Sequence, residues 1–140
     1  MLSKNRNFRF IVRVAISFVM IAGISSCGKD DKDVRDDYVG SYRTNWEYTF
    51  DGIKYTGTYT LTINKSATND NDIILGNIDG WGESARATVN GNAMTIPQQT
   101  IQDIGISGSG TLNGNVLNFS TQETQTGVGQ INVTQVATKQ

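Results

Sequence analysis

The sequence predicts an all-β domain, an eight-stranded antiparallel up-and-down meander closed into a barrel, with a flattened β-sandwich as the alternative. Two observations predict this class. From Tyr38 onward, apolar and polar residues alternate along successive segments, which is the period of a strand with one buried face. Tight-turn dipeptides separate these segments and allow sequential antiparallel neighbours. Closure would remove the free edges at which strands of different chains pair.

The first hairpin has the clearest pattern. Apolar side chains occupy four of the five even positions from Tyr42 to Phe50 and, apart from Gly57, the odd positions from Ile53 to Ile63, on either side of Asp51-Gly52. Asp-Gly is a favoured two-residue type I′ turn. This turn places Tyr48 opposite Tyr55, so that both apolar sets share one face. Trp46 then covers the bare backbone at Gly57.

Two further hairpins are predicted by a repeated turn. The segments from Thr88 to Ile96 and from Thr111 to Phe119 align without gaps around Asn-Gly-Asn. A Gly-Asn loop forms a type II′ turn and pairs Val89 with Met94 and Leu112 with Leu117. The remaining predicted strands follow the same alternation: Asp72 to Asp79, Glu83 to Val89, Ala93 to Pro97, Ile104 to Leu112, Val116 to Gln122 and Gly129 to Val136.

Residues 1–26 have the organisation of a secretory signal peptide. A basic segment through Arg13 precedes a largely apolar run from Val14 to Ile24. At ~1.5 Å per residue, this run covers only about half of a ~30 Å hydrocarbon core, which favours a cleaved signal over a spanning helix. Ile24-Ser25-Ser26-Cys27 resembles the lipobox of bacterial lipoproteins. That resemblance implies lipid attachment at Cys27, whose thiol would carry a thioether-linked diacylglycerol, and three acyl chains such as palmitate in the fully processed protein.

The segment after Cys27 is predicted to be an acidic, flexible tether through Asp37, which leaves residues 38–140 for the barrel. It contains five Asp residues between Gly28 and Asp37 and one apolar side chain, too little to bury. An acidic cluster at this position is similar to the export signal of surface-displayed lipoproteins. We therefore expect an outer-membrane protein exposed at the cell surface, with a periplasm-facing orientation as the alternative.

Composition excludes several classes of function. The chain has no His and one Cys, which excludes His-dependent triads, His-ligated metal sites and internal disulfides. Acidic residues outnumber basic ones after Cys27, which opposes nucleic-acid binding. Glu47, Glu83 and Glu123 could supply a carboxylate pair for glycoside hydrolysis, but no spacing selects two of them. We therefore expect a protein that is not an enzyme, with no cofactor and no metal.

The start of the barrel resembles a known family. Val39-Gly40-Ser41-Tyr42 is similar to the Gly-x-Trp entry of lipocalin-like barrels, with Tyr in place of Trp. Together with the acidic tether and the Gly-Asn hairpins, it resembles bacterial lipocalin-like (calycin-like) lipoproteins. The resemblance implies an eight-stranded barrel that holds a small ligand. Lipocalins also place an Arg late in the barrel against the opening Trp, and the predicted last strand contains no Arg.

Aromatic rings are the candidate ligand-binding residues. Eight-stranded barrels are just wide enough to be filled by side chains or to hold one small ligand. The rings therefore form either a binding cavity or a core. We expect a non-catalytic module that binds a small apolar or aromatic ligand or a glycan. The alternative is a structural or accessory lipoprotein with a filled core, acting through contacts with a surface protein. The candidate rings are Tyr42, Trp46, Tyr48, Tyr55, Tyr59, Trp81 and Phe119.

Overall fold

A computed structural model describes residues 31–140, so the predicted signal peptide and the lipid-attachment residue Cys27 lie outside the described residues. Eight strands form a closed barrel in sequence order, each antiparallel to both neighbours, with β8 pairing with β1. The predicted up-and-down barrel is confirmed, and the sandwich alternative is wrong. The strands are β1 (Gly40–Phe50), β2 (Ile53–Lys65), β3 (Asp72–Gly76), β4 (Ser84–Asn90), β5 (Ala93–Ile101), β6 (Ile104–Asn113), β7 (Val116–Gln125) and β8 (Gly129–Lys139).

The predicted hairpin registers are confirmed. In the first hairpin Phe50 pairs with Ile53, Tyr48 with Tyr55 and Trp46 with Gly57. Asp51 and Gly52 both have positive φ, as a type I′ turn requires. The other two hairpins pair Val89 with Met94 and Leu112 with Leu117. The alternation of apolar residues therefore identified both the strand partners and the inward face.

Strand ends differ from the predictions where local chemistry overrides alternation. β3 ends at Gly76, not at Asp79, because Asn77 and Asp79 adopt left-handed φ angles of 59° and 53°. A 3₁₀ helix at Ile78–Gly80 follows instead. β5 continues past Pro97 because a register shift between Ile96 and Gln99 accommodates the proline. β8 extends to Lys139, three residues beyond the predicted end at Val136.

The two ends of the barrel differ in packing. The end where β1 begins, called here the closed end, is filled by side chains such as Tyr42, Leu61 and Ile63, each at most 1% exposed. At the opposite, open end, the first hairpin leaves Phe50 44% and Ile53 57% exposed. The same inward alternation therefore produces a core at one end and an accessible inner face at the other.

A short 3₁₀ helix, Val34–Asp37, packs against the closed end. Arg35 is only 8% exposed, and its Nη1 donates to the backbone carbonyls of Asn69 at 2.9 Å and Ser66 at 3.3 Å. Tyr38 is fully buried and donates its hydroxyl to the carbonyl of Gly91. The prediction of a solvated tether through Asp37 is therefore wrong for its last residues, because the Arg35 guanidinium finds acceptors on the barrel.

Candidate functional site

A cavity of about 240 Å³ lies at the open end of the barrel. It combines aromatic, aliphatic and acidic side chains from both the barrel wall and the connection between β3 and β4. A larger depression of about 650 Å³ at the closed end is lined mainly by exposed turn residues. The residues that line the open-end cavity are Trp46, Tyr48, Asp79, Trp81, Glu123, Ile131 and Val133.

One side of the cavity is an aromatic wall, formed by Trp46, Tyr48 and Tyr55 on the inward face of the first hairpin. The Trp46 and Tyr48 ring centroids are 5.6 Å apart at an interplanar angle of 15°. Tyr48 and Tyr55 are 5.1 Å apart at 18°. Gly57 makes room for this wall, since a Cβ there would lie 2.6 Å from Cε2 of Trp46. Period-two alternation and one glycine thus create a stacked aromatic surface.

The connection between β3 and β4 brings a carboxyl group into the barrel. β2 pairs with β3 only from Thr62 to Lys65, near the closed end. The β3–β4 connection therefore lies beside the part of β2 that is nearer the open end. Asn77 Nδ2 anchors this connection by donating to the carbonyl of Thr60 at 2.8 Å. The left-handed conformation of Asp79 then directs its carboxyl group inward, where it accepts a hydrogen bond from Gln135 Nε2.

Gln135 is the centre of the polar network beneath the cavity. Its side chain is fully buried, and Oε1 accepts a hydrogen bond of 2.6 Å from the Tyr59 hydroxyl. Nε2 also donates to Thr121 Oγ1 at 3.2 Å. Burial, followed by the negative charge of Asp79, raises the pKa of Tyr59 well above its usual range, which keeps the phenol protonated as a donor.

Asp79 and Glu123 interact as an acid pair. Burial and the neighbouring Glu123 charge raise the pKa of Asp79 from 3.8 to about 7. Burial likewise raises the pKa of Glu123, which accepts a weak hydrogen bond from Thr121 Oγ1 at 3.4 Å. Asp79 Oδ2 is buried and has no hydrogen-bond donor among residues 31–140. Two adjacent carboxyl groups in this setting favour a state that shares one proton.

The structure separates the candidate rings into three groups. Trp46, Tyr48 and Trp81 line the cavity, and Tyr55 extends the aromatic wall to the rim with 39% exposure. Tyr59 lies below the cavity in the Gln135 network. The remaining two predicted site residues do not line the cavity: Tyr42 and Phe119 are 0% and 4% exposed and belong to the packed core.

Sequence reasoning missed the polar half of the site. The sequence predicts a strand through Asp79, and nothing in the alternation of apolar residues indicates the left-handed turn there. Gln135 and Glu123, in contrast, occupy inward positions of β8 and β7, and a polar residue at an apolar position is itself a signal. Glu47 and Glu83 are elsewhere: Glu47 pairs with Lys54 at 2.7 Å, and Glu83 accepts from Gln102 at 2.8 Å.

Neither protein-family models nor curated proteins match this chain. Across residues 31–140, no helix is long and apolar enough to cross a membrane. Within the same described part of the chain, no three acidic or cysteine side chains are grouped so that they could hold a metal ion. The open-end cavity and its lining residues are therefore the basis for proposing a function.

Proposed function

We propose that this chain is a lipid-anchored bacterial lipoprotein whose barrel binds a small ligand without catalysing a reaction. The observation that carries the proposal is the open-end cavity, in which an aromatic wall adjoins a small number of buried polar groups. Ligand cavities in proteins typically combine apolar walls with a few such groups. The volume of about 240 Å³ is slightly below the range typical for drug-sized ligands, which favours a one-ring compound or a single sugar unit.

The proposed anchor is Cys27, carrying the acyl chains of a bacterial lipoprotein in the outer membrane. Two or more acyl chains hold a protein stably on a bilayer, at about 0.8 kcal/mol per buried CH₂. The described chain enters the barrel at its closed end, through the helix Val34–Asp37, whereas the cavity opens at the other end. This arrangement supports a mouth directed away from the membrane. We propose cell-surface exposure, with a periplasm-facing orientation as the alternative.

The proposed relationship to lipocalin-like lipoproteins is supported by a contact of Lys139, which lies in β8 beyond the predicted end of that strand at Val136. Lys139 Nζ lies 5.8 Å from the centroid of the Tyr42 ring and donates to the carbonyl of Asp37 at 3.1 Å. A cation from the last strand thus faces the aromatic residue that opens the barrel. Lys occupies the place at which the resemblance leads us to expect Arg.

An accessory role through protein contacts is the second candidate, favoured by apolar side chains at the rim of the open end. The four most exposed are Phe50, Ile53, Tyr55 and Val128, at 39–57% exposure. Exposed apolar patches are common at protein interfaces. In that case the partner would be a protein at the cell surface, and the packed closed half of the barrel would serve only stability.

Native mass spectrometry tests the binding proposal. Residues 28–140, purified without denaturation and exposed to native cell extract, are expected to carry a discrete added mass. Trp46→Ala is expected to lose this mass while remaining folded. Thr58→Ala, an outward residue of the same hairpin, is the matched control and should retain it. A bare protein under all conditions would contradict ligand binding and favour the accessory role, which crosslinking on intact cells would then examine.

A further inference from the structure

The acid pair of Asp79 and Glu123 lacks a cationic partner within the described chain. The residues that line the cavity include no Lys or Arg, and none of the salt bridges in residues 31–140 involves either carboxyl group. The groups that face the pair are the Tyr59 hydroxyl from β2, Thr121 from β7 and Gln135 from β8, all uncharged. Two acidic groups therefore adjoin a cavity whose lining residues supply no cation.

Buried carboxylates are stable when they are paired with a cation or when they keep a proton. The protein itself supplies only amide and hydroxyl donors, and Asp79 Oδ2 receives none from the described residues. A cationic ligand would supply both the missing charge and the missing donor. The indole and phenol rings around the cavity add to this preference, because aromatic faces attract cations.

On these grounds we infer that the ligand carries a protonated amine, whose N–H groups bind Asp79 and Glu123 while its apolar body contacts the aromatic wall. This inference rests on the proposed binding function and specifies its ligand class. The amine takes the place of the proton that the pair shares in the free protein, and that proton passes to the buffer. A divalent cation is a weaker candidate, because two carboxyl groups without a third acidic neighbour in residues 31–140 offer few ligands.

The two tryptophans of the chain make the test direct. Trp46 and Trp81 are the only Trp residues, and both line the cavity, so tryptophan fluorescence reports on its occupancy. The full chain, extracted in mild detergent, is titrated with pairs of probes that differ in the amine: benzylamine against benzyl alcohol, and glucosamine against glucose. Calcium chloride is titrated separately. Calorimetry in two buffers of different ionisation enthalpy counts the protons released.

The expected result is that at least one amine binds at millimolar concentration or below near neutral pH, at least about tenfold more tightly than its uncharged counterpart, since its bonds to carboxylates are charge-assisted. Binding should release up to about one proton. Glu123→Gln should weaken amine binding about tenfold or more and leave the uncharged probes within about twofold. Asp79→Asn should act similarly, because Asn tolerates the left-handed backbone at this position. Glu47→Gln, an outward carboxylate on β1, is the matched control and should change nothing.

Three results would overturn the inference. If uncharged probes bind as tightly as amines, the binding function stands and the amine assignment falls. If only calcium binds, the pair is a cation site of another kind. If none of the amines binds at millimolar concentration while the native mass experiment still finds a ligand, the ligand class is wrong. Should Asp79→Asn fail to fold, Glu123→Gln alone decides, because its side chain lies on a regular strand.

Discussion

The hydroxyl of Tyr59 donates to Oε1 of Gln135 across 2.6 Å, and this single bond orients the amide at the base of the cavity. Because Oε1 is the acceptor for Tyr59, Nε2 faces Asp79 and Thr121 and donates to both. The bond also joins β2 to β8 beneath the acid pair. The polar base of the site is thus organised by a side chain that sequence reasoning had placed among the ligand-binding rings.

Removing the Tyr59 hydroxyl should destabilise the protein. In Tyr59→Phe, the buried Oε1 of Gln135 loses its donor, and an unsatisfied buried acceptor costs about 1–3 kcal/mol. We expect the free energy of unfolding, measured by urea denaturation, to fall by about that amount. Tyr55→Phe is the control, since Tyr55 is exposed at the rim and should change stability by less than about 0.5 kcal/mol. Equal stability of the two variants would argue against the Gln135 network.

The acid pair should make stability depend on pH between about 4 and 7. The pKa of Asp79 is raised in the folded state, so the folded protein keeps a proton that the unfolded chain, with its pKa near 3.8, has released. The contribution of Asp79 to the free energy of unfolding is therefore greatest below about pH 4, and it falls as the pH rises to about 7. The slope for one proton is at most about 1.4 kcal/mol per pH unit.

Asp79→Asn isolates this effect. We expect the stability difference between Asp79→Asn and the parent to move in favour of the variant as pH rises through the same interval. The lowered pKa values of Asp33 and Asp72 act in the opposite direction at acid pH, and they are common to both proteins. Urea denaturation over a pH series provides the measurement. A constant difference would mean that Asp79 titrates normally in the folded state.

Gly57 should be intolerant of a side chain. A Cβ at this position would lie 2.6 Å from Cε2 of Trp46, so Gly57→Ala must displace the indole ring. Overpacking of this kind costs about 1–3 kcal/mol, and we also expect the tryptophan emission to shift as the ring moves. Gly105→Ala is the matched control, because the nearest atom to its Cβ would be at the flexible end of Gln98, 3.1 Å away, and Thr124 would lie at ordinary contact distances of 3.7 Å and more. An unchanged emission spectrum in Gly57→Ala would contradict the proposed wall geometry.

Cys27→Ser tests the anchor, which lies outside the described residues. The variant should lose metabolic labelling by fatty acids and should move from the membrane fraction to the soluble fraction, because the acyl chains supply the membrane affinity. The barrel is expected to fold as before, since its first strand begins at Gly40, well after Cys27 in the sequence. Ser26→Thr, a small change next to the proposed cleavage site, serves as a milder comparison. Retained membrane attachment in Cys27→Ser would overturn the lipobox interpretation.

Much of the fold follows from local pattern. Along β1 and β2, alternation and the Asp51-Gly52 turn were enough to predict the pairing of Tyr48 with Tyr55 and the inward face that becomes the aromatic wall. The pairing register is strongly specified, because a slip of one residue would move every apolar side chain of the strand to the solvent face. The same rule identified the Val89–Met94 and Leu112–Leu117 pairs.

The sequence by itself thus determined the eight strands to within a few residues at their ends, the neighbours that pair and the side chains that face inward. Only the tertiary structure decided that the barrel closes, that Tyr42 and Phe119 become core, and that Asp79 meets Glu123. The physical reason is the separation along the chain over which each effect acts. Alternation and turn propensity act between near neighbours, whereas Asp79 reaches Glu123 and Gln135 only because short β3 and β4 leave space for their connection inside a closed sheet.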